Sequence, residues 1–433
     1  MHSTSAFSRV ARSIAVACLW SAVTVQADTA KPADTVRPVV GTPLLSAQTA
    51  ITGGRFAEAL SNVSEAEKAA TDASAYELYI INRTKAAAAM GAGQTELAFT
   101  ATEAAIATKA APAPEQLALI ESLVHAAYGA KDYARAARWA DRYAQEGGAK
   151  PDVASLRVQA QYLGGDYAGA AATLNDQVKA DDAAGRSTPE RELRVLASAQ
   201  AKLGDTAGRT ATIERLATHH PKPAYWSELL SRIDRRTLDD RLALDFLRLA
   251  HATGSLGEAG PQLALAEIAL SAGFAGESLA VLDAGLAKGV LGVGPDAAKH
   301  RALRDRARKL AADDAAARQR DEAAARASRD GNALVMLGQI AAAEGRFDDG
   351  MALMEQGLAK GGVRREQEAR LRLGEAQALS GRSAEARQTL GSVQGAGGLS
   401  ELTQLWRLYA SVRRTQPAVT APASQAGAGQ RSP

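Results

Sequence analysis

Leu337-Gly338-Gln339-Ile340-Ala341-Ala342-Ala343-Glu344-Gly345-Arg346-Phe347 decides the fold, because Leu373-Gly374-Glu375-Ala376-Gln377-Ala378-Leu379-Ser380-Gly381-Arg382-Ser383 repeats its plan thirty-six residues on. In both, a Leu-Gly pair lies in an alanine-rich segment. A second glycine follows seven residues after the first, and a polar residue comes next. Alanine-rich segments of this length favour helix, and the second glycine takes the positive φ of a tight turn between antiparallel helices.

The same turn recurs upstream. It reads Gly54-Arg55-Phe56 with Ala59, Gly93-Gln94-Thr95 with Ala98, Lys131-Asp132-Tyr133 with Ala136, Gly165-Asp166-Tyr167 with Ala170, and Gly204-Asp205-Thr206. Gly273, Gly345 and Gly381 complete the series. The first five anchors are spaced by 39, 38, 34 and 39 residues, and the later ones by 69, 72 and 36. Each of the two long gaps is therefore expected to hide one degenerate hairpin. A period in the thirties signals stacked helical hairpins, in which each unit touches its neighbours.

These residues resemble tetratricopeptide repeats, and the resemblance covers most of residues 44–414. It implies an all-α chain, a right-handed α-solenoid of tetratricopeptide-like hairpins. The turn glycines Gly54, Gly93, Gly165, Gly204, Gly345 and Gly381 are its structural positions. Two departures stand out: Gly350 and Arg209 occupy places where the family prefers alanine. Irregular packing is expected there. The chaperone-binding members carry Lys and Asn at set positions of their first helices. This chain offers Asn332, Val335 and Gln339, then Glu368, Leu371 and Glu375, so the resemblance does not extend to a clamp for acidic carboxyl-terminal tails.

Composition agrees with an interaction array and excludes several other classes. The 433 residues hold 51 Lys+Arg against 48 Asp+Glu, one Cys, and only 4% aromatic residues. A near-neutral balance supplies no field for nucleic acid, and one cysteine makes neither an internal disulfide nor a cysteine-based zinc site. Arg9 and Arg12, followed by an apolar run from Ile14 to Val25 and by Val25-Gln26-Ala27, read as a secretory signal cleaved after Ala27. Cys18 leaves with it. Residues 28–43, with Pro32, Pro38 and Pro43, read as a linker, residues 44–414 as the repeats, and residues 415–433 as a disordered tail. Localisation is expected to be periplasmic, with no membrane span after cleavage.

Chemistry is expected to be absent: no catalytic residue, no cofactor, no metal. His125, His219, His220, His251 and His300 form no His-Glu-x-x-His pattern. Neither a nucleophile elbow nor a phosphate loop is present, and the glycines at 289, 292 and 294 lack the strand that would give them meaning. Residues 295–330 read as one long charged helix with i,i+4 pairs Asp305/Lys309, Asp314/Arg318 and Glu322/Arg326. For binding, the residues singled out are Tyr225, Trp226, Arg232, Arg235 and Arg236, aromatic surface beside a basic cluster facing an acidic protein or an anionic glycan.

A tighter resemblance lies in the carboxyl half. Tyr225-Trp226-Ser227-Glu228-Leu229-Leu230-Ser231-Arg232, residues Asp240 to Asp245, Met354 to Gly361 and Leu405-Trp406 are similar to exported proteobacterial tetratricopeptide proteins described as accessory components of TonB-type energy-transducing systems. That resemblance implies a periplasmic scaffold with protein partners in the cell envelope and no nucleic acid. The alternative is a repeat subunit of an envelope enzyme or a polysaccharide export machine.

Overall fold

A computed structural model describes residues 35–234 and 238–412. The expected signal, the first residues of the expected linker, the tail, Arg235 and Arg236 lie outside the described residues. Twenty α-helices and one short 3-10 turn account for the described secondary structure, and no strand occurs among these residues. The described residues are all-α and built largely of tetratricopeptide-like helical hairpins. It forms two compact units divided after Leu174, inside a helix, where the sequence had suggested one uninterrupted run of repeats.

In the first unit, α1 (Pro38–Thr52) pairs with α2 (Phe56–Ala69), α3 (Ala75–Gly91) with α4 (Thr95–Ala107), and α5 (Ala113–Gly129) with α6 (Tyr133–Gln145). Then follow α7 (Pro151–Leu163) and α8 (Tyr167–Ala183), the helix that contains the boundary. The core is a column of aliphatic residues and small alanines, such as Ile106, Ile120, Leu123, Ala127 and Ala136. Turn chemistry repeats along it. Gly54, Gly93 and Gly165 have φ between 72° and 83°, and the anchor that is not glycine, Lys131, adopts the same conformation at φ 62°. Asp132 then caps α6 by accepting the Arg135 N–H at 3.0 Å. Tyr128 against Tyr133 and Tyr162 against Tyr167 make edge-to-face pairs across successive turns, at 5.7 and 5.3 Å between ring centres. Successive hairpins are tied one repeat apart, as in Arg135 to Glu96 at 3.1 Å and the Trp139 indole N–H to Glu103 at 3.2 Å.

Helix α1 corrects the expected linker, since it starts at Pro38 and contains Pro43. Pro38 sits at the first helical position, where its missing N–H and fixed φ are harmless. Pro43 deprives the Val39 carbonyl of its helical donor, a loss that costs less at a residue 58% exposed to solvent. The start of α1 is anchored by Glu77 of α3, which accepts from the Arg37 backbone N–H at 2.9 Å and from its guanidinium at 2.8 and 3.0 Å. Glu77 also completes a capping box with Ser74.

The second unit contains α9 (Glu190–Leu203) and α10 (Thr206–His219), then α11 (Pro223–Leu230), a 3-10 turn (Asp240–Leu242) and α12 (Ala243–Ala252). Next come α13 (Ala259–Ser271) with α14 (Ala275–Ala287), the long α15 (Ala297–Ala327), α16 (Asn332–Ala343) with α17 (Phe347–Lys360), α18 (Glu366–Leu379) with α19 (Ser383–Gly391), and α20 (Gly398–Val412). The first long gap holds two short helices, α11 and α12, in place of the expected hairpin: they touch each other only slightly, α11 packing on α10 and α12 on α13. The second holds no hairpin: its extra length is the single helix α15. Of the three ion pairs expected on α15, only Glu322–Arg326 forms, while Arg318 reaches Glu344 at 2.8 Å. Asp305 is paired with Arg308 and Arg304 at 3.7 and 4.0 Å.

Gly350 overturns a further expectation. It does not loosen the packing; it permits the tightest helix pair of the unit. A methyl placed on Gly338 would lie 2.6 Å from the Gly350 carbonyl oxygen, and one on Gly350 would lie 2.6 Å from that of Gly338. No side chain fits at either glycine, so α16 and α17 meet backbone to backbone there, with Met354 and Ala342 packed alongside.

Contacts in this unit are not confined to sequence neighbours. Helix α20 packs against α18 and α19 and also returns to α10 and α12. Trp406, fully buried, and Tyr409 on α20 make an edge-to-face pair at 5.5 Å, and Tyr409 meets Trp226 of α11 at 6.1 Å. The returning helix supplies aromatic volume that an alanine-rich array otherwise lacks.

Candidate functional site: a charged cavity in the second unit

Helices α12, α14, α16 and α18 surround a cavity of about 270 Å³ whose walls combine apolar residues such as Leu265, Val281, Phe347 and Leu379 with Arg248, Glu277, Gln339, Arg372 and Glu375. The cavity does not follow one row of the array: α14 is the second helix of its hairpin, whereas α16 and α18 are the first helices of theirs, the single helix α15 having shifted the alternation.

Asp245 of α12 is completely buried and organises the charges. Arg372 of α18 donates to it from Nε to Oδ1 at 3.1 Å and from Nη2 to Oδ2 at 3.1 Å, and Arg372 Nη2 also donates to the Arg241 carbonyl at 3.0 Å. Arg248 donates to Asp245 at 3.2 Å and to both oxygens of Glu277 at 2.8 and 2.6 Å. Beneath Arg248 lies the Phe274 ring, 4.6 Å from the guanidinium, supplied by the residue that follows a turn glycine. Burial works against the charge of both arginines, but Glu277 and Asp245 more than offset it for Arg248, and Asp245 does so for Arg372. Both guanidinium pKa values are raised.

Glu375 is the member left over. It is 3% exposed, and its Oε1 has no hydrogen-bond partner. Burial, with Asp245 next in importance, pushes its carboxyl well above the usual range, and Arg248 and Arg372 pull it back only in part. Three carboxylates thus face two guanidinium groups, and the unpaired one lines the cavity.

The residues singled out from sequence are distributed differently. Trp226 is 3% exposed and belongs to the aromatic core with Tyr409, so it presents no surface to a partner. Tyr225 is half-buried, its hydroxyl donates to Glu190, and burial followed by that bond pushes its pKa up to about 12. Arg232 is exposed, donates to Thr210 and pairs with Glu228 at 3.5 Å. Gly204, Gly345 and Gly381 have φ of 72°, 82° and 86°, the conformation expected of turn glycines.

The histidines divide among several tasks. His300 Nδ1 accepts the Gly292 N–H at 3.1 Å and so pins the glycine-rich loop between α14 and α15. His220 Nε2 meets the Thr188 carbonyl at 2.9 Å. His125 stands 3.7 Å from Asp152 and 4.0 Å from Glu121, a grouping with the donor types of a metal site that sequence reasoning did not assemble. Asp152 lies on a different helix, and Lys150 already holds Glu121 at 2.6 Å.

No family model and no curated protein matches the chain. Among solved structures, it is similar to the TPR2AB domain of yeast Sti1 in complex with an Hsp90 peptide, at 15% identity, covering 69% of this chain and 99% of that one with a TM-score of 0.22. It is also similar to the P58(IPK) TPR domain, at 12% identity over 88% and 99% with a TM-score of 0.23. Naa15/Naa10 bound to HypK is similar at 13% identity over 84% and 70%, with a TM-score of 0.24.

Proposed function

We propose that the protein is a protein-interaction scaffold of the cell envelope, exported to the periplasm and accessory to a TonB/ExbB-type energy-transducing system. The observation that carries the scaffold reading is the cluster of Asp245, Arg248, Glu277, Arg372 and Glu375 around the cavity. Burying five charged groups is costly and adds little stability over an apolar core of the same volume. Asp245 and Arg372 tie α12 to α18, but Glu375, buried with no hydrogen-bond partner on Oε1, serves no such tie, and recognition is the function that accounts for it. The residues around the cavity include no nucleophile beside a general base.

Export rests on the amino-terminal segment, and the TonB-type context on the resemblance of the carboxyl half. No helix among the described residues is long and apolar enough to cross a membrane. The test is site-specific photocrosslinking in intact cells from position 343, on the cavity wall. The expected outcome is an adduct with an envelope polypeptide, identified by mass spectrometry and belonging to the energy-transducing complex. Adducts formed only from position 232 would move the site to the Tyr225–Arg232 region. Hydrolysis of an envelope polymer by the isolated chain would replace the scaffold with an enzyme subunit.

A further inference from the structure

We propose that the cavity between α12, α14, α16 and α18 receives a single lysine or arginine side chain of a partner polypeptide, its cationic end meeting Glu375. The inference deepens the scaffold reading and rests on it. Charge chooses the sign of the occupant. Arg248 and Arg372 are already held by Asp245 and Glu277 through the bonds given above, whereas Glu375 Oε1 is buried and has no donor. An anion would sit beside three carboxyl groups, and the charges of both guanidinium groups are already met by Asp245 and Glu277. A cation supplies the missing donor, favours the ionised form of Glu375 and so brings the cluster to three charges of each sign.

Size and lining narrow the choice further. At about 270 Å³, the cavity falls just below the range of sites that enclose drug-sized ligands, roughly 300–1,000 Å³, and suits one long side chain. Leu265, Val281, Phe347 and Leu379 provide apolar contact along the methylene stem, and the polar end lies against Glu375. Pairing a buried carboxylate only on arrival of the partner also yields selectivity, since a neutral side chain of equal length leaves Glu375 as it was.

The experiment is calorimetric titration of the whole chain with acetyl-Ala-Ala-Lys-Ala-Ala-amide, with counterparts carrying norleucine or glutamate at the centre, and with cadaverine. The lysine peptide is expected to bind at least tenfold more tightly than the norleucine peptide, and Glu375→Gln is expected to abolish that difference while leaving circular dichroism unchanged. Equal affinity for norleucine, preference for glutamate, or no detectable heat from the lysine peptide at several millimolar would each overturn the proposal. So would cadaverine binding as tightly as the lysine peptide, which would make this a site for free amines. The norleucine comparison uses the unaltered chain and does not depend on the variant folding. Crosslinking from position 343 in the Glu375→Gln chain separates the two readings: an undiminished adduct keeps the scaffold and removes the cationic occupant.

Discussion

Asp245 and Arg372 stand 127 residues apart in sequence, yet Arg372 Nε donates to Asp245 Oδ1 at 3.1 Å, with Asp245 wholly buried. A strictly linear array has no such tie, because its hairpins touch only their neighbours. Helix α20, returning to α10 and α12, closes the same distance with aromatic residues.

Removing one partner should therefore be severe. Arg372→Ala leaves Asp245 buried and short of its bidentate donor, with an expected loss of about 3–5 kcal/mol. Urea unfolding followed by circular dichroism measures it. A loss below about 1 kcal/mol would show that water reaches Asp245 and that the pair is dispensable.

The glycines of the second unit should separate into two kinds. Gly350→Ala drives a methyl against the Gly338 carbonyl and should cost about 1–3 kcal/mol through overpacking, with no φ penalty. Gly345→Ala meets nothing within 4 Å and should cost about 1–2 kcal/mol through positive φ alone. Asparagine distinguishes them, since it tolerates the left-handed region: it should recover stability at 345 and make matters worse at 350. Equal losses for asparagine at both positions would refute the distinction.

Lys131 occupies a turn position where the other anchors carry glycine, at φ 62°. Lys131→Gly relieves about 1–2 kcal/mol of left-handed strain but loosens the unfolded chain by about 0.4–1 kcal/mol. A net gain of about 0.5–1 kcal/mol in the first unit is expected. Thermal denaturation of the variant beside the parent decides it, and a lower midpoint would contradict the strain argument.

Acid should act on the first unit through Glu77. The Arg37 side chain, then the Arg37 backbone N–H, hold its carboxyl down to about 2, against 4.5 for a free glutamate. A depressed folded pKa means that the stabilisation is fully present above about pH 4.5 and is lost as pH falls towards 2. Glu77→Gln should be less stable at pH 7 and show a flatter stability curve between pH 4.5 and 2. An unchanged slope in that window would mean that Arg37 releases Glu77 before unfolding.

The turns are legible because their chemistry is local: a left-handed residue, a polar residue after it and a small residue lie within six positions, so Gly54, Gly165 and Gly381 can be read one by one. Pro43 misled because a proline near a helix start counts against helix in sequence, while its actual cost depends on whether the Val39 carbonyl sees water. In sequence, Trp226 stands beside a basic cluster and Trp406 in a stretch that resembles a family. Their shared burial depends on the return of α20, which no local pattern announces.

The charged cavity lay deeper still. In sequence, Gln339, Glu368 and Glu375 stand out only as positions lacking the residues of an acidic-tail clamp. The cavity role of Gln339 and Glu375 emerges from Asp245 and Arg248 on α12, more than one repeat away, and from Arg372, which shares α18 with Glu375. Arginines and carboxylates on helices read as solvated faces until something shows which of them share a wall.

The hydrogen bond from Thr173 to the Gln161 side chain at 3.1 Å recurs as Thr212 to Gln200 at 2.8 Å, in each case with partners twelve residues apart. Such an echo is what copying a hairpin leaves behind, and it says where further copies fit. A hairpin duplicated within residues 56–145 need only match the neighbour before and the neighbour after, so the first unit can grow by whole repeats. The second cannot grow in this way. An added hairpin between α12 and α18 would pull Arg372 away from Asp245 and α20 away from α10, so the number of hairpins is fixed by the ends that must meet.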